Sequence, residues 1–198
     1  MSGAGGLGAF LYRHRGLVPV LPIAYALWAA DPRRSATVAG GLLMAAGEAL
    51  RLWGAAHLGK TARSSRPRAS KLVTTGPYAH TRHPLYWANG ALTLGFALAS
   101  GAGWPWFPVL AAVGFLLLYA GHGRREERLL AAAFPAGHGA YRAAVPAWRW
   151  RLRGAAVPSA GETGRPGWRR ALAVEAWTLN AEFWLLLALW GRAALLPR

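Results

Sequence analysis

The chain has 198 residues, of which 54% are hydrophobic and 15% charged, and its formal net charge is +16. This composition is too apolar for an ordinary soluble domain and is typical of a membrane protein. The basic residues alternate with long apolar runs, which argues against a nucleic-acid-binding face. The absence of Cys excludes disulfides, thiolate catalysis and cysteine-ligated zinc.

Apolar segments follow one another along the whole chain and approach the length that crosses a bilayer, with 84–99 and 105–120 near its short limit. They are residues 10–30, 36–58, 84–99, 105–120 and 171–190. The first lacks the order of regions found in a signal peptide, so we expect it to be retained. The sequence therefore predicts an all-α fold, a polytopic membrane helix bundle of about five transmembrane helices, with polar loops at one face.

Charged residues interrupt two of these segments. Glu48 and Arg51 lie three positions apart and share a helix face, which predicts a structural ion pair, with a cofactor contact as the alternative. Glu175 and Glu182 lie seven apart, with Asn180 between them. We expect these three to form a buried polar seam against another helix; a contact with a polar group of a substrate is the alternative.

Positive charge is distributed unevenly between the segments. Most of it, 16 of the 23 Lys and Arg residues, lies in residues 59–83 and 121–170, whereas the turn 100–104 carries none. The positive-inside rule therefore predicts that both charged regions are cytoplasmic, with the N-terminus inside and the C-terminus outside. A helical hairpin over residues 84–120 would bring the two charged regions together at one membrane face.

The first chemically distinctive stretch is GPYAHTRHPLY at residues 76–86. Pro84 suits the first turn of a helix, so Arg82 and His83 would precede a helix N-terminus, a position that accepts anions. Tyr86 adds a ring and a hydroxyl group. The alternative is an interfacial anchor, in which these residues contact only lipid head groups.

A second stretch, RREER at residues 124–128, places Glu126 and Glu127 at the cytoplasmic end of a predicted span. Carboxylates near a bilayer are costly unless they bind cations. One of them can pair with Arg82 or Arg124, which leaves the other for a ligand; a solvated, salt-bridged helix turn is the alternative. The His residues show no spacing typical of a metal site.

Together, GPYAHTRHPLYWA and EERLLAAAFPAGHGAYRAAVP resemble the signature of the isoprenylcysteine carboxyl methyltransferase and phospholipid methyltransferase superfamily. That pattern reads R-H-P-x-Y-x-G/A, then E-E-x-x-L, then F-G-x-x-Y-x-x-Y-x-x-x-V-P. The matching residues are Arg82, His83, Pro84, Tyr86, Ala88, Glu126, Glu127, Leu130, Phe134, Tyr141, Val145 and Pro146. Pro135 and His138 depart from it, since they stand where Gly and the first Tyr are usual.

The resemblance implies an integral membrane methyltransferase that uses S-adenosyl-L-methionine, releases S-adenosyl-L-homocysteine and has no Rossmann domain. It implies one membrane domain, with N-terminal helices and a loop (1–75), a cofactor-binding core (76–150), and a linker with an extra helix (151–198). The implied catalytic residues are Arg82, Glu126 and Glu127. The implied cofactor-binding residues are Tyr78, Arg82, His83, Pro84, Tyr86, Glu126, Glu127 and Tyr141. Chain length resembles prokaryotic members, which implies the inner membrane.

In this interpretation Arg82 and His83 hold the carboxylate of the cofactor, a glutamate holds its ammonium or ribose, and Tyr78 and Tyr86 lie near the sulfonium. The expected partners are membrane lipids and a lipophilic methyl acceptor that enters between helices, with no nucleic acid and no obligate protein partner. A carboxylate acceptor needs an orienting cation, whereas an amine or thiol needs a base such as Glu127 or His138.

Two other functions stay open at this point. A membrane reductase of the sterol-reductase type also resembles the R-H-P-x-Y segment and would use NADPH. A non-catalytic lipid-binding membrane subunit would use its polar loops only to contact head groups.

Overall fold

The computed structural model describes residues 20–58, 71–161 and 166–195. Within these ranges the chain forms six α-helices, a short 3₁₀ helix and one two-stranded antiparallel sheet. In chain order the elements are α1 (Val20–Trp28), α2 (Arg34–Leu58), β1 (Lys71–Leu72), the 3₁₀ helix (Gly76–Ala79), α3 (Pro84–Ser100), α4 (Trp106–Ala133), α5 (Pro135–Ala144), β2 (Ala160–Gly161) and α6 (Trp168–Leu195). The predicted helical fold is confirmed, and the small sheet is an addition to it.

Two of the described helices are long and apolar enough to cross a membrane, Trp106–Ala133 and Trp168–Arg192. The prediction of five spans is therefore not confirmed. Helix α3 has 17 residues, and the described part of the first apolar segment forms a helix of 9 residues. Helix α2 has 25 residues, but many of them are polar or small. Residues 10–19 of the first predicted span, and residues 59–70 of the charged loop, lie outside the described residues.

Helices α2 and α3 form the centre of the bundle and pack antiparallel through small residues. At the crossing, a Cβ added to Gly47 would lie 3.0 Å from the carbonyl oxygen of Ala88 and 3.0 Å from the Cβ of Ala91. The absence of a side chain at Gly47 thus allows the two backbones to approach closely. Helix α6 packs on α2, and α4 packs on α3.

The helical hairpin predicted over residues 84–120 is present, since α3 and α4 are joined by a short turn. At the turn, the backbone N–H of Asp31 donates to the Ser100 carbonyl at 2.9 Å. The start of α3 lies at the other end of the bundle, beside the last turns of α4. We call this end, which carries residues 71–86 and 121–161, the polar end.

The segment that follows α5 lies over the 3₁₀ helix. Strand β2 pairs with β1 through Lys71 and Gly161, and the N–H of Ala155 donates to the Ala79 carbonyl at 2.9 Å. Below this cover, Leu72, Tyr141 and Val145 form a small buried core. The polar end is thus a packed layer in which each loop supports another.

The predicted ion pair within α2 is confirmed, because Arg51 Nε lies 3.5 Å from Glu48 Oε2. The predicted seam on α6 is confirmed for Glu175, which is buried and accepts a 2.5 Å hydrogen bond from Arg51 Nη2. It is wrong for Asn180, which is exposed. Five residues turn an α-helix by about 140°, so Asn180 lies far round the helix from Glu175.

Candidate functional site

Arg82 joins three elements at the polar end. Its Nε donates to Glu127 Oε1 on α4 at 2.7 Å. Its Nη1 donates to two carbonyl oxygens at the end of α5, those of Val145 at 2.5 Å and Arg142 at 3.2 Å. Its own backbone N–H donates to the Pro146 carbonyl at 3.0 Å. These bonds engage Nε and Nη1, so the side chain connects the start of α3 to α4 and to the end of α5.

The Glu127 carboxylate lies among three basic side chains. Besides its bond with Arg82, Oε1 lies 3.3 Å from His83 Nε2, and Oε2 lies 3.4 Å from His138 Nε2 on α5. The Glu127 side chain is 18% exposed and both imidazoles are buried. His138, one of the departures from the family pattern, therefore helps to enclose this carboxylate.

Glu126 occupies a different environment from its neighbour. Its side chain is 48% exposed, and its Oε2 accepts a 2.7 Å hydrogen bond from the Tyr86 hydroxyl. Oε2 also lies 3.5 Å from His83 Nδ1. Of the two acids, Glu126 is the one that a ligand can reach.

His83 lies between the two carboxylates, with one ring nitrogen facing each. Burial by itself lowers the pKa of His83, but the hydrogen bonds and negative charges of Glu126 and Glu127 outweigh it, so the net pKa is raised above 6.5. The ring stacks on Tyr86, with centroids 5.0 Å apart and planes 9° apart. The buried imidazole thus lies between two carboxylates, and its ring and that of Tyr86 form an aromatic face.

Trp148 completes the aromatic face, and none of the sequence motifs predicted its place there. Its ring lies 6.0 Å from that of Tyr86 and 5.5 Å from that of His83. A Cβ added to Gly123 on α4 would lie 3.2 Å from Trp148 Cζ2, so a glycine is what lets α4 approach these rings. The available signal was the position of Trp148, two residues after the Val-Pro that ends the third motif.

The remaining predicted site residues, Pro84, Tyr78 and Tyr141, pack against the site. Pro84 occupies the first turn of α3, as predicted, with His83 as its N-cap. Tyr141 donates its hydroxyl to the Tyr78 carbonyl at 2.8 Å, and both residues are buried. Burial raises the pKa of Tyr78 well above 10.0, so its phenol stays neutral. The structure therefore brings Arg82, His83, Tyr86, Glu126 and Glu127 together, with Tyr78 and Tyr141 in the underlying core.

This arrangement combines a reachable carboxylate, stacked aromatic rings and buried basic groups. A ligand that carries a cation and an anion a few bonds apart would find complementary groups here. Among residues 20–58, 71–161 and 166–195, no group of three or more His, Asp or Glu is arranged to hold a metal ion.

Comparisons with known proteins agree on the region that contains both motifs. The family model described as phospholipid methyltransferase matches residues 35–137, from the start of α2 into α5. That range covers slightly more than half of the chain and includes the candidate site except for His138, Tyr141 and Trp148.

Two curated relatives carry names that refer to metal resistance. The cobalt-zinc-cadmium resistance protein CzcN of Cupriavidus metallidurans is 40% identical over 87 residues, which is 43% of this chain and 36% of that protein. The nickel-cobalt-cadmium resistance protein NccN of Alcaligenes xylosoxydans xylosoxydans is 36% identical over 92 residues, again 43% of this chain and 36% of that protein. The chain thus matches about a third of the length of these relatives. No solved structure matches it.

Proposed function

The chain belongs to the phospholipid methyltransferase family, and from that premise we propose that it is a membrane methyltransferase that binds S-adenosyl-L-methionine at the polar end. The observation that carries the proposal is the Glu126 carboxylate, which is half-exposed yet fixed by a 2.7 Å hydrogen bond from Tyr86. An acid held in one orientation at an open face is suited to bind an ammonium group or ribose hydroxyls.

The other residues fit the cofactor by their chemistry. The rings of Tyr86 and Trp148 offer π faces to a cationic sulfur. Glu126 and Glu127 already face His83 and Arg82, so the group best suited to the carboxylate of the cofactor is the positive end of helix α3. When bound, S-adenosyl-L-methionine supplies an electrophilic methyl group on a sulfonium.

The two adjacent glutamates have separate tasks in this proposal. Glu127, enclosed by Arg82, His83 and His138, holds α4 against the start of α3 and against α5. Glu126 binds the ligand. Catalysis then consists largely of orientation and exclusion of water, because a methyl transfer needs an in-line approach of the nucleophile.

The acceptor is proposed to be a lipophilic molecule that reaches the site from the bilayer between helices. Its nucleophile is a carboxylate, an amine or a thiol, and His138 is the proposed base for the last two. His138 Nε2 lies 3.4 Å from Glu127 Oε2, so the carboxylate helps to position this imidazole. The metal resistance named for the relatives forms no part of this proposal, because the chain matches only 36% of their length.

The protein is further proposed to lie in a prokaryotic inner membrane with the polar end facing the cytoplasm. The support is charge, since exposed arginines cluster at this end. They are Arg124, Arg125, Arg128, Arg142, Arg149, Arg151 and Arg153.

Calorimetric titration of S-adenosyl-L-homocysteine into the purified protein in detergent tests the function. We expect saturable binding by the wild type and a loss of at least about tenfold in Glu126→Gln, the cost of one charge-assisted contact. Binding of NADPH with none of S-adenosyl-L-homocysteine would instead favour the reductase. Binding of neither would favour the lipid-binding subunit.

A further inference from the structure

Arg51 is a charged side chain in the middle of the bundle, and helix α6 supplies its closest acid. Arg51 Nη2 donates to Glu175 Oε2 at 2.5 Å and lies 3.5 Å from the Thr178 hydroxyl, both on α6. The Arg51 side chain is 17% exposed and that of Glu175 is 2% exposed. Buried charges persist only with such partners. Helix α6 begins at Trp168, beyond the range that matches the family.

The same guanidinium reaches the candidate site through two further residues. Arg51 Nη1 donates to Asn89 Oδ1 on α3. The Asn89 amide nitrogen in turn donates to the Tyr119 hydroxyl on α4 at 3.1 Å. The bond from Arg51 therefore decides which end of the Asn89 amide faces Tyr119.

Tyr119 passes this arrangement on to the aromatic face. Its ring meets that of Tyr86 edge to face, with centroids 4.8 Å apart. Tyr86 donates to Glu126 at 2.7 Å. An unbroken series of contacts thus runs from Glu175 on α6 through Arg51, Asn89, Tyr119 and Tyr86 to Glu126.

We propose that Arg51 is a positioning residue through which helix α6 sets the orientation of Tyr86 and Glu126. A guanidinium is planar, and its donors have a fixed geometry, so anchoring Nη2 on Glu175 fixes the direction of Nη1. Glu48 Oε2 lies 3.5 Å from Nε, on the remaining side of the guanidinium. Without Glu175 the guanidinium can turn toward Glu48, and Asn89 loses the bond that orients its amide.

The expected change in ligand affinity rests on the proposed function. The expected change in the orientation of Tyr86 is independent of it. Calorimetric titration of S-adenosyl-L-homocysteine should show binding at least about fivefold weaker in Glu175→Gln and in Tyr119→Phe, the lower end of usual coupling between sites. The double variant should bind no more weakly than the weaker single one, because both changes break one series of contacts. Asn180→Ala, an exposed position on the same helix, should bind like the wild type.

A second readout needs no ligand. In protein with ¹³C-labelled tyrosine, the Tyr86 ring signal, assigned with Tyr86→Phe, should shift in Glu175→Gln and stay in place in Asn180→Ala. Should Glu175→Gln fail to fold, Tyr119→Phe, which removes only a hydroxyl, carries the same measurement.

The two readouts separate the two ideas. Absence of S-adenosyl-L-homocysteine binding in the wild type would overturn the proposed function, and the Tyr86 signal would still decide the role of Arg51. An unshifted Tyr86 signal, wild-type affinity in folded Glu175→Gln, or losses that multiply in the double variant would each overturn the positioning role. In those cases the Arg51–Glu175 pair only holds α6 to the bundle.

Discussion

Arg82 Nε and Glu127 Oε1, 45 positions apart in sequence, form a 2.7 Å hydrogen-bonded ion pair at the polar end. The pair joins the start of α3 to the last turns of α4. The Arg82 side chain is 10% exposed and that of Glu127 is 18% exposed. If one of them were removed, solvent could therefore replace little of the interaction that the other loses. The pair thus connects two of the elements that form the candidate site.

Neutralising the two glutamates should therefore have different effects. Glu127→Gln removes the charge that Arg82, His83 and His138 share, and we expect it to lower the free energy of unfolding by about 1–3 kcal/mol. Glu126→Gln, at a half-exposed position, should lower it by less than about 1 kcal/mol while weakening ligand binding. Denaturation in detergent micelles measures both. Equal destabilisation by the two variants would contradict the separate tasks assigned to them.

The contribution of His83 to stability should depend on pH. Its pKa is raised in the folded protein, so the stabilisation is fully present below about pH 6.5, the unfolded value, and is lost as pH rises through the folded pKa. The difference in Tm between the wild type and His83→Gln should accordingly be largest at about pH 6 and shrink toward about pH 9. A difference that grows with pH would show that burial, rather than the two carboxylates, governs this histidine.

Two glycines on α4 make a matched pair for testing the aromatic face. A Cβ at Gly121 would meet nothing within 4 Å, whereas one at Gly123 would lie 3.2 Å from Trp148 and 3.5 Å from His83 Nε2. Both Gly→Ala changes gain about 1 kcal/mol of helix propensity. We expect Gly121→Ala to stabilise the protein and to bind S-adenosyl-L-homocysteine normally. Gly123→Ala should bind it more weakly, since Trp148 must shift; equal affinities would contradict the role of the close approach.

The proposed topology can be tested with introduced cysteines, because the chain contains none. Arg125→Cys lies at the polar end and Trp104→Cys lies in the turn at the other end, and both positions are exposed. In intact cells a membrane-impermeant maleimide should label the Trp104→Cys protein and leave the Arg125→Cys protein unlabelled until the cells are opened. The reverse pattern would contradict the cytoplasmic location of the polar end.

Local sequence signals predicted the parts of the site that follow from where a helix starts and where the chain turns back. Pro84 sets the start of α3, and the hairpin that follows returns the chain to the same end. The sequence alone therefore predicts that Arg82 and the two glutamates lie together. The ion pair of Glu48 and Arg51 was likewise a consequence of helical spacing within one element.

Contacts between distant elements were beyond these signals. The course of residues 145–161 over the 3₁₀ helix, which brings Trp148 to Tyr86, depends on a two-residue strand pair too short to show any periodicity. Helical periodicity placed Glu175 on a buried face but did not indicate that the partner would be Arg51, because it carries no information on which helices pack together. The five predicted spans are not confirmed, because apolar segments such as 84–99 lie in helices near the short limit of what a bilayer requires, 17 residues in the case of α3.

The central claim is methyl transfer at the polar end, and the most direct measurement is incorporation of label from S-adenosyl-L-[methyl-³H]methionine into organic-solvent-extractable material. The assay uses membranes that contain the wild type, Glu126→Gln or Asn180→Ala. We expect incorporation with the wild type and Asn180→Ala, and a loss of at least about tenfold with Glu126→Gln at equal protein levels. Incorporation that is the same with Glu126→Gln as with the wild type, or no higher with the wild type than in membranes lacking the protein, would contradict it.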